Sequence, residues 1–293
     1  MRFGATAFLL TCLSALTVNA QDVNSTPIPT APGTKPATYT QARVDQPYIA
    51  MTFDDGPSSA NTPRLLEILK QRNIKATFFL IGQNAASNPD IVRQILADGH
   101  EIGNHSWTHP QLSKLSDDRV TTEINKTQDA IREASGFTPT ILRPPYGAIT
   151  ARQREWIENQ FGLSIILWSV DPFDWKRPGA SVITQRILSQ VRPGAIILSH
   201  DIHKQTVDAM PATLDGLIAK GYKFVTVTQL IAMNKPKPSP APAVNSADER
   251  PRTVKSSKTA PVKGNSEAQT QRTSQQGNIQ SDSAKPEPNG EGQ

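Results

Sequence analysis

Between Pro47 and Ile231 two kinds of segment alternate along the chain. Short apolar runs suit strands buried on both faces. Longer stretches repeat apolar residues every three or four positions, which suits helices packed along one side. Strands are predicted at Tyr48–Phe53, Ala76–Ile81, Glu101–Asn104, Thr140–Arg143, Ser164–Val170, Ala195–Ser199 and Lys223–Val227. Helices are predicted at Pro63–Arg72, Pro89–Asp98, from Ser116 to about Ser135, at Thr150–Phe161, at Val182–Val191 and between Thr206 and Lys220, with a last turn from Gln229. The end signals agree. Asn61 or Thr62 caps the first helix with Pro63 in its first turn, Gly99 closes the second, and Ser116 caps the third, which Gly136 closes. Pro211 is expected to start or kink the sixth.

Strands alternating with helices imply parallel βα units. About seven such units in fewer than 200 residues predict an α/β fold, a compact and irregular (β/α) barrel, with a doubly wound open sheet as the alternative.

The flanks read differently. Arg2 followed by the apolar stretch Phe8–Val18 and Val18-Asn19-Ala20 reads as a secretory signal cut after Ala20, with an uncut anchor as the alternative. Export to the periplasm or the extracellular space is expected. Cys12 falls inside the signal and lacks the context for lipidation, so the mature chain is expected to carry no cysteine. Residues 21–45 are rich in Pro, Thr and Ala and read as an extended linker. Residues 46–233 are read as the folded domain. From Asn234 to Gln293 there is no aromatic residue and only four large aliphatic ones, too few to offset chain entropy, so a disordered tail is expected. Its nine basic against six acidic residues allow a tether to an anionic wall polymer, or a solvated tail with no partner.

Reactive residues gather where the predicted strands end. In parallel βα folds that rim binds ligands. The ends read Asp54-Asp55-Gly56-Pro57, His105-Ser106-Trp107-Thr108-His109, Arg143-Pro144-Pro145-Tyr146, Asp171-Pro172-Phe173-Asp174-Trp175 and Leu198-Ser199-His200. Four of the five histidines lie at or just past these ends. A turn at Gly56-Pro57 could bring both Asp54 and Asp55 to the rim. His105 and His109, four apart, share one face of a helix or of a tight loop. Two imidazoles and a carboxylate suit zinc and equally the iron of Fe(II) oxygenases.

These five segments, in this order, resemble the polysaccharide deacetylase family (NodB-homology, carbohydrate esterase family 4) over about Pro47 to Ala232. The resemblance implies a distorted (β/α) barrel and one divalent metal ion, usually zinc, with cobalt, manganese or nickel as alternatives. It implies hydrolysis of acetyl groups on N-acetylglucosamine polymers or, in some members, on xylan. By the same resemblance Asp55, His105 and His109 are the metal ligands and Asp54 is the general base. Arg143 orients that base, His200 is the general acid, and Asp174 holds His200. Asp171 braces either His200 or Arg143. Tyr146 offers a backbone N–H to the oxyanion, and Pro144, Trp175 and Leu198 line the substrate groove. His100 is read as structural, His203 as no ligand, Trp107 as packing, and Trp156 and Trp168 as core.

A net charge of +5 neither demands nor excludes an anionic partner, and the single cysteine excludes a disulfide scaffold. No apolar run reaches the ~20 residues of a bilayer span, so stable membrane insertion is not expected. Basic residues form no aromatic-interleaved patch, so neither is nucleic-acid binding. The expected function is removal of N-acetyl groups from peptidoglycan or chitin-like glycan by a monomer. An O-acetyl esterase on xylan and a non-catalytic glycan-binding module are the alternatives.

Overall fold

The computed structural model describes residues 37–236. The signal, most of the linker and nearly all of the tail expected above lie outside them. Eight strands and eight α-helices are described: β1 (Thr38–Tyr39), β2 (Tyr48–Asp54), α1 (Thr62–Gln71), β3 (Thr77–Leu80), α2 (Gly82–Ser87), α3 (Pro89–Ala97), β4 (Glu101–Asn104), α4 (Asp117–Ser135), β5 (Ile141–Leu142), α5 (Ala151–Phe161), β6 (Ser164–Ile166), α6 (Ala180–Gln190), β7 (Ile196–Ile197), α7 (Lys204–Ala219), β8 (Lys223–Phe224) and α8 (Val227–Ala232). No helix among the described residues is long and apolar enough to cross a membrane.

Every strand pair is parallel, in the order β1-β6-β5-β4-β3-β2-β7, with β8 also on β2. A bridge from Val170, just past β6, to Ile197 in β7 helps bring the far edges together. An antiparallel bridge from Gln41, just past β1, to Ala195 joins the same edges, so the sheet closes into a barrel along a seam of isolated bridges rather than a continuous ladder.

Alternation along β2 sorts its side chains. Ile49, Met51 and Phe53 join Phe78, Leu80, Ile102 and Ile197 against helix residues such as Leu65, Ile95, Ile183, Val207 and Leu214. Ala50 faces inward with Phe79, Ile141, Ile166 and Ile196, where Val227 and Leu230 of α8 plug the end at which the strands begin. The plug is held by polar bonds: Thr77 Oγ1 donates to Glu101 at 2.8 Å, and the Val227 N–H donates to Thr77 Oγ1 at 2.9 Å. Gly103 is inside because a Cβ there would sit 2.4 Å from the Phe79 ring. Thr52 and Asp54 continue the inward face toward the opposite rim.

Several expectations need correction. Thr38–Tyr39, in the segment read as linker, pairs with Ile165 and Ile166 as β1. At the other boundary Lys235 donates its N–H to Arg43 O at 3.0 Å, and Asn234 Oδ1 accepts from the Arg43 N–H at 2.8 Å. The folded unit therefore takes in residues on both sides of 46–233. The strands expected at Thr140–Arg143, Ser164–Val170, Ala195–Ser199 and Lys223–Val227 are only two or three residues long. Their remaining residues bend into rim loops or, at Val227, open α8. The sixth predicted helix begins earlier, at Lys204, and carries Pro211 inside it. Ser116 stands at the N-cap of α4 with no side-chain cap bond, whereas Thr150 forms a full capping box with Gln153 on α5.

His100 lies at the strand-start end, away from the cleft. Its Nδ1 accepts from the Ala76 N–H at 3.1 Å, so the buried ring is held neutral. Burial, reinforced by the Lys75 charge, pushes its pKa down from 6.5 to about 4. A folded-state pKa below the unfolded one favours folding above pH 6.5, and that contribution is lost as pH falls toward 4. At about 1.4 kcal/mol per unit it reaches about 3 kcal/mol. Wild type is expected to lose more melting temperature than His100→Asn between pH 7 and pH 4.5. Parallel losses would remove His100 as the cause.

Candidate active site

The cleft lies at the rim where the strands end. A cavity of about 400 Å³ is lined by Asp54, Asp55, His105, His109, Pro144, Tyr146, Trp168, Asp171, Trp175, Leu198 and His200. Five loops bring these residues together, and their backbone is unusual. Among the described residues seven non-glycine positions have positive φ, and of these only Asn73 lies away from these loops. Left-handed backbone costs on the order of 1–3 kcal/mol per residue and persists where the surroundings enforce it.

Asp55 shows why this matters. After Asp54, the next side chain of a continuing strand would point outward. Asp55 instead adopts φ +73°, which returns its carboxylate to the rim beside Asp54. The turn that pairs them is therefore at Asp55 itself, one residue before Gly56. Asp201 holds it from below. A Cβ on Gly56 would meet the Asp201 carboxylate at 2.5 Å, and Thr62 Oγ1 donates to that same carboxylate. Asp201 is fully buried, and burial pushes its pKa up to about 7.

His105 and His109 sit on a loop, and both point at Asp55. Their Nε2 atoms each lie 3.3 Å from Asp55 Oδ1. The loop is tied at several points. Asn104 Oδ1 accepts from the Ser106 N–H at 2.8 Å, and Ser106 Oγ accepts from the His109 N–H at 3.1 Å. Glu123, reaching over from α4, accepts from the Trp107 N–H, the Thr108 N–H and the Thr108 hydroxyl, each at 2.8 Å.

This trio fits a metal ion. One ligand atom from each of Asp55, His105 and His109 lies within 4.8 Å of the others. Asp55 Oδ1 is buried without a hydrogen-bond partner. Ligands about 2.05 Å from a tetrahedral zinc stand about 3.3 Å apart, the separation between Asp55 Oδ1 and each of the two imidazole Nε2 atoms. His105 Nδ1 lies 2.7 Å from the Arg143 carbonyl and donates to it, which leaves Nε2 as the free lone pair. Burial works against charge on Asp55, but the adjoining His105 imidazole, with His200 and His109, holds its carboxyl down at about 2. Burial lowers the His109 pKa, which favours the neutral, ligating form. His105→Ala is expected to carry far less than one zinc per chain at sub-micromolar free metal, read by atomic emission. Undiminished zinc would remove His105 from the set.

Two carboxylate-based pairs flank the trio. Arg143 is fully buried, and its Nη1 donates to Asp54 Oδ1 at 2.6 Å and to Thr52 Oγ1 at 2.7 Å. Its remaining N–H groups donate to the carbonyls of Ile166 and Leu167, and the guanidinium lies 4.1 Å over the Phe79 ring. Asp174, also fully buried, accepts from His200 Nδ1 at 2.8 Å, the His200 N–H at 2.7 Å and Thr206 Oγ1 at 2.8 Å. Burial would lower the His200 pKa, but the hydrogen bond and charge of Asp174, with the charges of Asp54 and Asp55, outweigh it and raise it to about 9.

The other candidates fall into place unevenly. Asp171 hydrogen-bonds neither His200 nor Arg143. Its Oδ1 accepts from the Phe173 N–H at 2.7 Å, so it shapes its own loop. Tyr146 adopts φ +60°, and its ring meets His109 edge-on at 4.6 Å, leaving the residue 66% exposed. Its N–H lies in the first turn of a short 3-10 helix, where no intrahelical acceptor exists. Trp168, read as core, lines the cavity because β6 ends at Ile166 and the chain then bends along the rim. His203 stands 6.1 Å from His200, ring to ring, at the start of α7 and outside the ligand trio. Asp201 and Glu123 escaped sequence reading, as did the part of Thr62, read only as a helix cap, in holding Asp201. Only a buried acid beside a rim histidine could have hinted at Asp201, and nothing local marks Glu123.

Residues 41–166 match the sequence profile of the polysaccharide deacetylase domain. The peptidoglycan-N-acetylglucosamine deacetylase PgdA of Listeria monocytogenes is 47% identical over 182 residues, which cover 62% of this chain and 38% of the relative. This chain thus spans well under half of that relative's length. The peptidoglycan-N-acetylglucosamine deacetylase of Bacillus cereus is 42% identical over 191 residues, covering 64% of this chain and 69% of the relative. The solved structure of the Bc1960 peptidoglycan N-acetylglucosamine deacetylase superposes with a TM-score of 0.64 at 38% identity, covering 69% of this chain and 95% of that one. Likeness of this extent, reaching nearly the whole of a solved deacetylase, makes this chain a member of the polysaccharide deacetylase family.

Proposed function

We propose that this chain is a metal-dependent hydrolase that removes N-acetyl groups from N-acetylglucosamine in peptidoglycan, acting outside the cytoplasm after loss of its signal segment. The observation that carries the reading is the convergence of two hydrogen-bonded ion pairs, Arg143–Asp54 and Asp174–His200, on the cavity that holds the Asp55–His105–His109 trio. A protein that only binds glycan needs neither pair. Peptidoglycan is favoured because the two relatives described above are named for it.

Each residue has a task in amide hydrolysis. Asp55, His105 and His109 would hold a divalent ion, zinc first, which when bound polarises the amide carbonyl and makes water more acidic. Asp54 takes the proton from the attacking water, and Arg143 fixes its carboxylate toward the cleft. The Tyr146 N–H donates to the oxygen that gains charge. His200, held by Asp174 through Nδ1, presents Nε2 and protonates the nitrogen of the leaving amine, which could not depart as an anion. Leu198, Pro144 and Trp175 form the apolar wall against which the acetyl methyl packs.

The test is acetate release by the purified chain, zinc-loaded and chelator-treated. Peptidoglycan, N-acetylglucosamine oligomers and acetylated xylan are offered in parallel. Release from peptidoglycan that chelator stops and zinc restores is expected. Release from xylan alone would make the protein an O-acetyl esterase. No release from any of the three, with zinc bound, would overturn the reading.

A further inference from the structure

Next to the cleft, the loop after β6 carries two exposed aromatic side chains, Phe173 (41% exposed) and Trp175 (49%). Their rings meet edge to face with centroids 6.1 Å apart. Lys176 Nζ lies 5.1 Å from the Phe173 ring and 4.9 Å from the Trp175 ring, and the Arg186 guanidinium lies 5.8 Å from Phe173. The loop is stiffly held. The Phe173 N–H donates to Asp171 and the Trp175 N–H to Asp174, and Arg186 Nη1 donates to the Pro172 carbonyl at 2.9 Å. Phe173 and Arg177 both have φ +54°.

Two neighbouring aromatic rings left about half exposed on a fixed backbone form an apolar patch of the kind that marks a contact surface. Charge adds a second observation. Among the described residues the arginines of this domain find carboxylates repeatedly, at Asp208, Asp215, Asp90, Asp129, Asp54 and Asp117. Lys176 and Arg177, both exposed, form no ion pair among the described residues, and neither do Arg119, Arg154, Arg186 and Arg192; Lys176 differs from these in standing over both rings of a loop whose Trp175 lines the cleft. Aromatic faces take the C–H faces of sugar rings, and an ammonium poised over those faces takes a carboxylate carried by the ring.

We propose that Phe173, Trp175 and Lys176 form a subsite for a carboxylate-bearing sugar ring adjoining the N-acetylglucosamine that is hydrolysed. This deepens the deacetylase reading and rests on it. Trp175 belongs to both places, since it also lines the reacting cavity, so the two rings occupied are neighbours on one glycan chain. The subsite selects an alternating polymer, in which every second sugar carries a lactyl-ether carboxylate, over a neutral N-acetylglucosamine chain. Stacking serves both polymers; the Lys176 charge serves only the first.

The experiment uses the full chain, zinc-loaded, with two oligomers of equal length, one alternating and carboxylated, one neutral. Acetate release gives kcat/KM for each, and calorimetry gives each Kd, at low and at physiological salt. Wild type should favour the carboxylated oligomer. Lys176→Glu should lower the carboxylated-to-neutral ratio of kcat/KM by about tenfold at low salt, through KM, since it replaces a partly exposed attraction by a repulsion. Lys176→Arg should retain the preference, and Phe173→Ala should weaken binding of both oligomers. The same ratio in wild type and Lys176→Glu at low salt would overturn the subsite, as would unaltered binding by Phe173→Ala. Failure of the deacetylase reading looks different. Wild type would then release acetate from neither oligomer, while the two Kd values would still report whether Lys176 separates them.

Discussion

Asp54→Asn is expected to lower kcat by about 10²–10⁴, the usual worth of one positioned proton-transfer group. The substitution is nearly isosteric. Asparagine keeps an oxygen to accept from Arg143 Nη1, which lies 2.6 Å from Asp54 Oδ1, but it cannot take a proton from water. Asp55, His105 and His109 remain, so zinc content should stay near one per chain. The folded state should weaken somewhat, because the buried Arg143 would lose its counter-charge while keeping its hydrogen bond. The measurement is kcat beside zinc content. Retention of more than a tenth of wild-type activity would take the base role from Asp54. Loss of zinc along with activity would mean that Asp54 helps to hold the ion.

Arg143→Ala is expected to be the more damaging change to stability. All of its polar contacts are internal: Thr52, Asp54, and the carbonyls of Ile166 and Leu167. Removing the guanidinium leaves the buried Asp54 carboxylate without a cation, two carbonyls without donors and a hole over Phe79. Breaking a buried pair from one side costs about 3–5 kcal/mol. For a domain of this size that is a fall in melting temperature on the order of 10 °C. Arg143→Lys should recover only part, because an ammonium cannot reproduce a fork that serves four acceptors. A loss below about 1 kcal/mol for the alanine variant would show that water replaces the guanidinium in the barrel mouth.

The order of βα units and the end signals of most helices were legible because they depend on spacing and on single residues such as Pro63, Gly99 and Gly136. Segment lengths at the rim were not. The runs at Thr140–Arg143 and Ala195–Ser199 are built around apolar residues, yet only two residues of each pair as strand, because the barrel bends away there. β1 was invisible for a related reason. Two residues carry no periodicity, and Thr38–Tyr39 become a strand only by meeting Ile165 and Ile166. α2 (Gly82–Ser87) is short and polar, so no pattern announces it. Trp168 reads as an ordinary core tryptophan until the end of β6 turns it toward the cleft.

By itself the sequence determined the alternation that makes a parallel α/β fold. It also determined which residue types stand at the strand ends: paired aspartates, two histidines four apart, an arginine before two prolines, and a histidine with a distant aspartate. These follow from local periodicity and local chemistry, which a linear string carries. Tertiary structure alone decided how those groups act on one another. The left-handed Asp55, the Thr62–Asp201 bond across 139 positions, the Glu123 clasp on the histidine loop and the neutral His100 all depend on what burial removes from water. Desolvation and orientation are properties of the packed chain, and no short-range pattern encodes them.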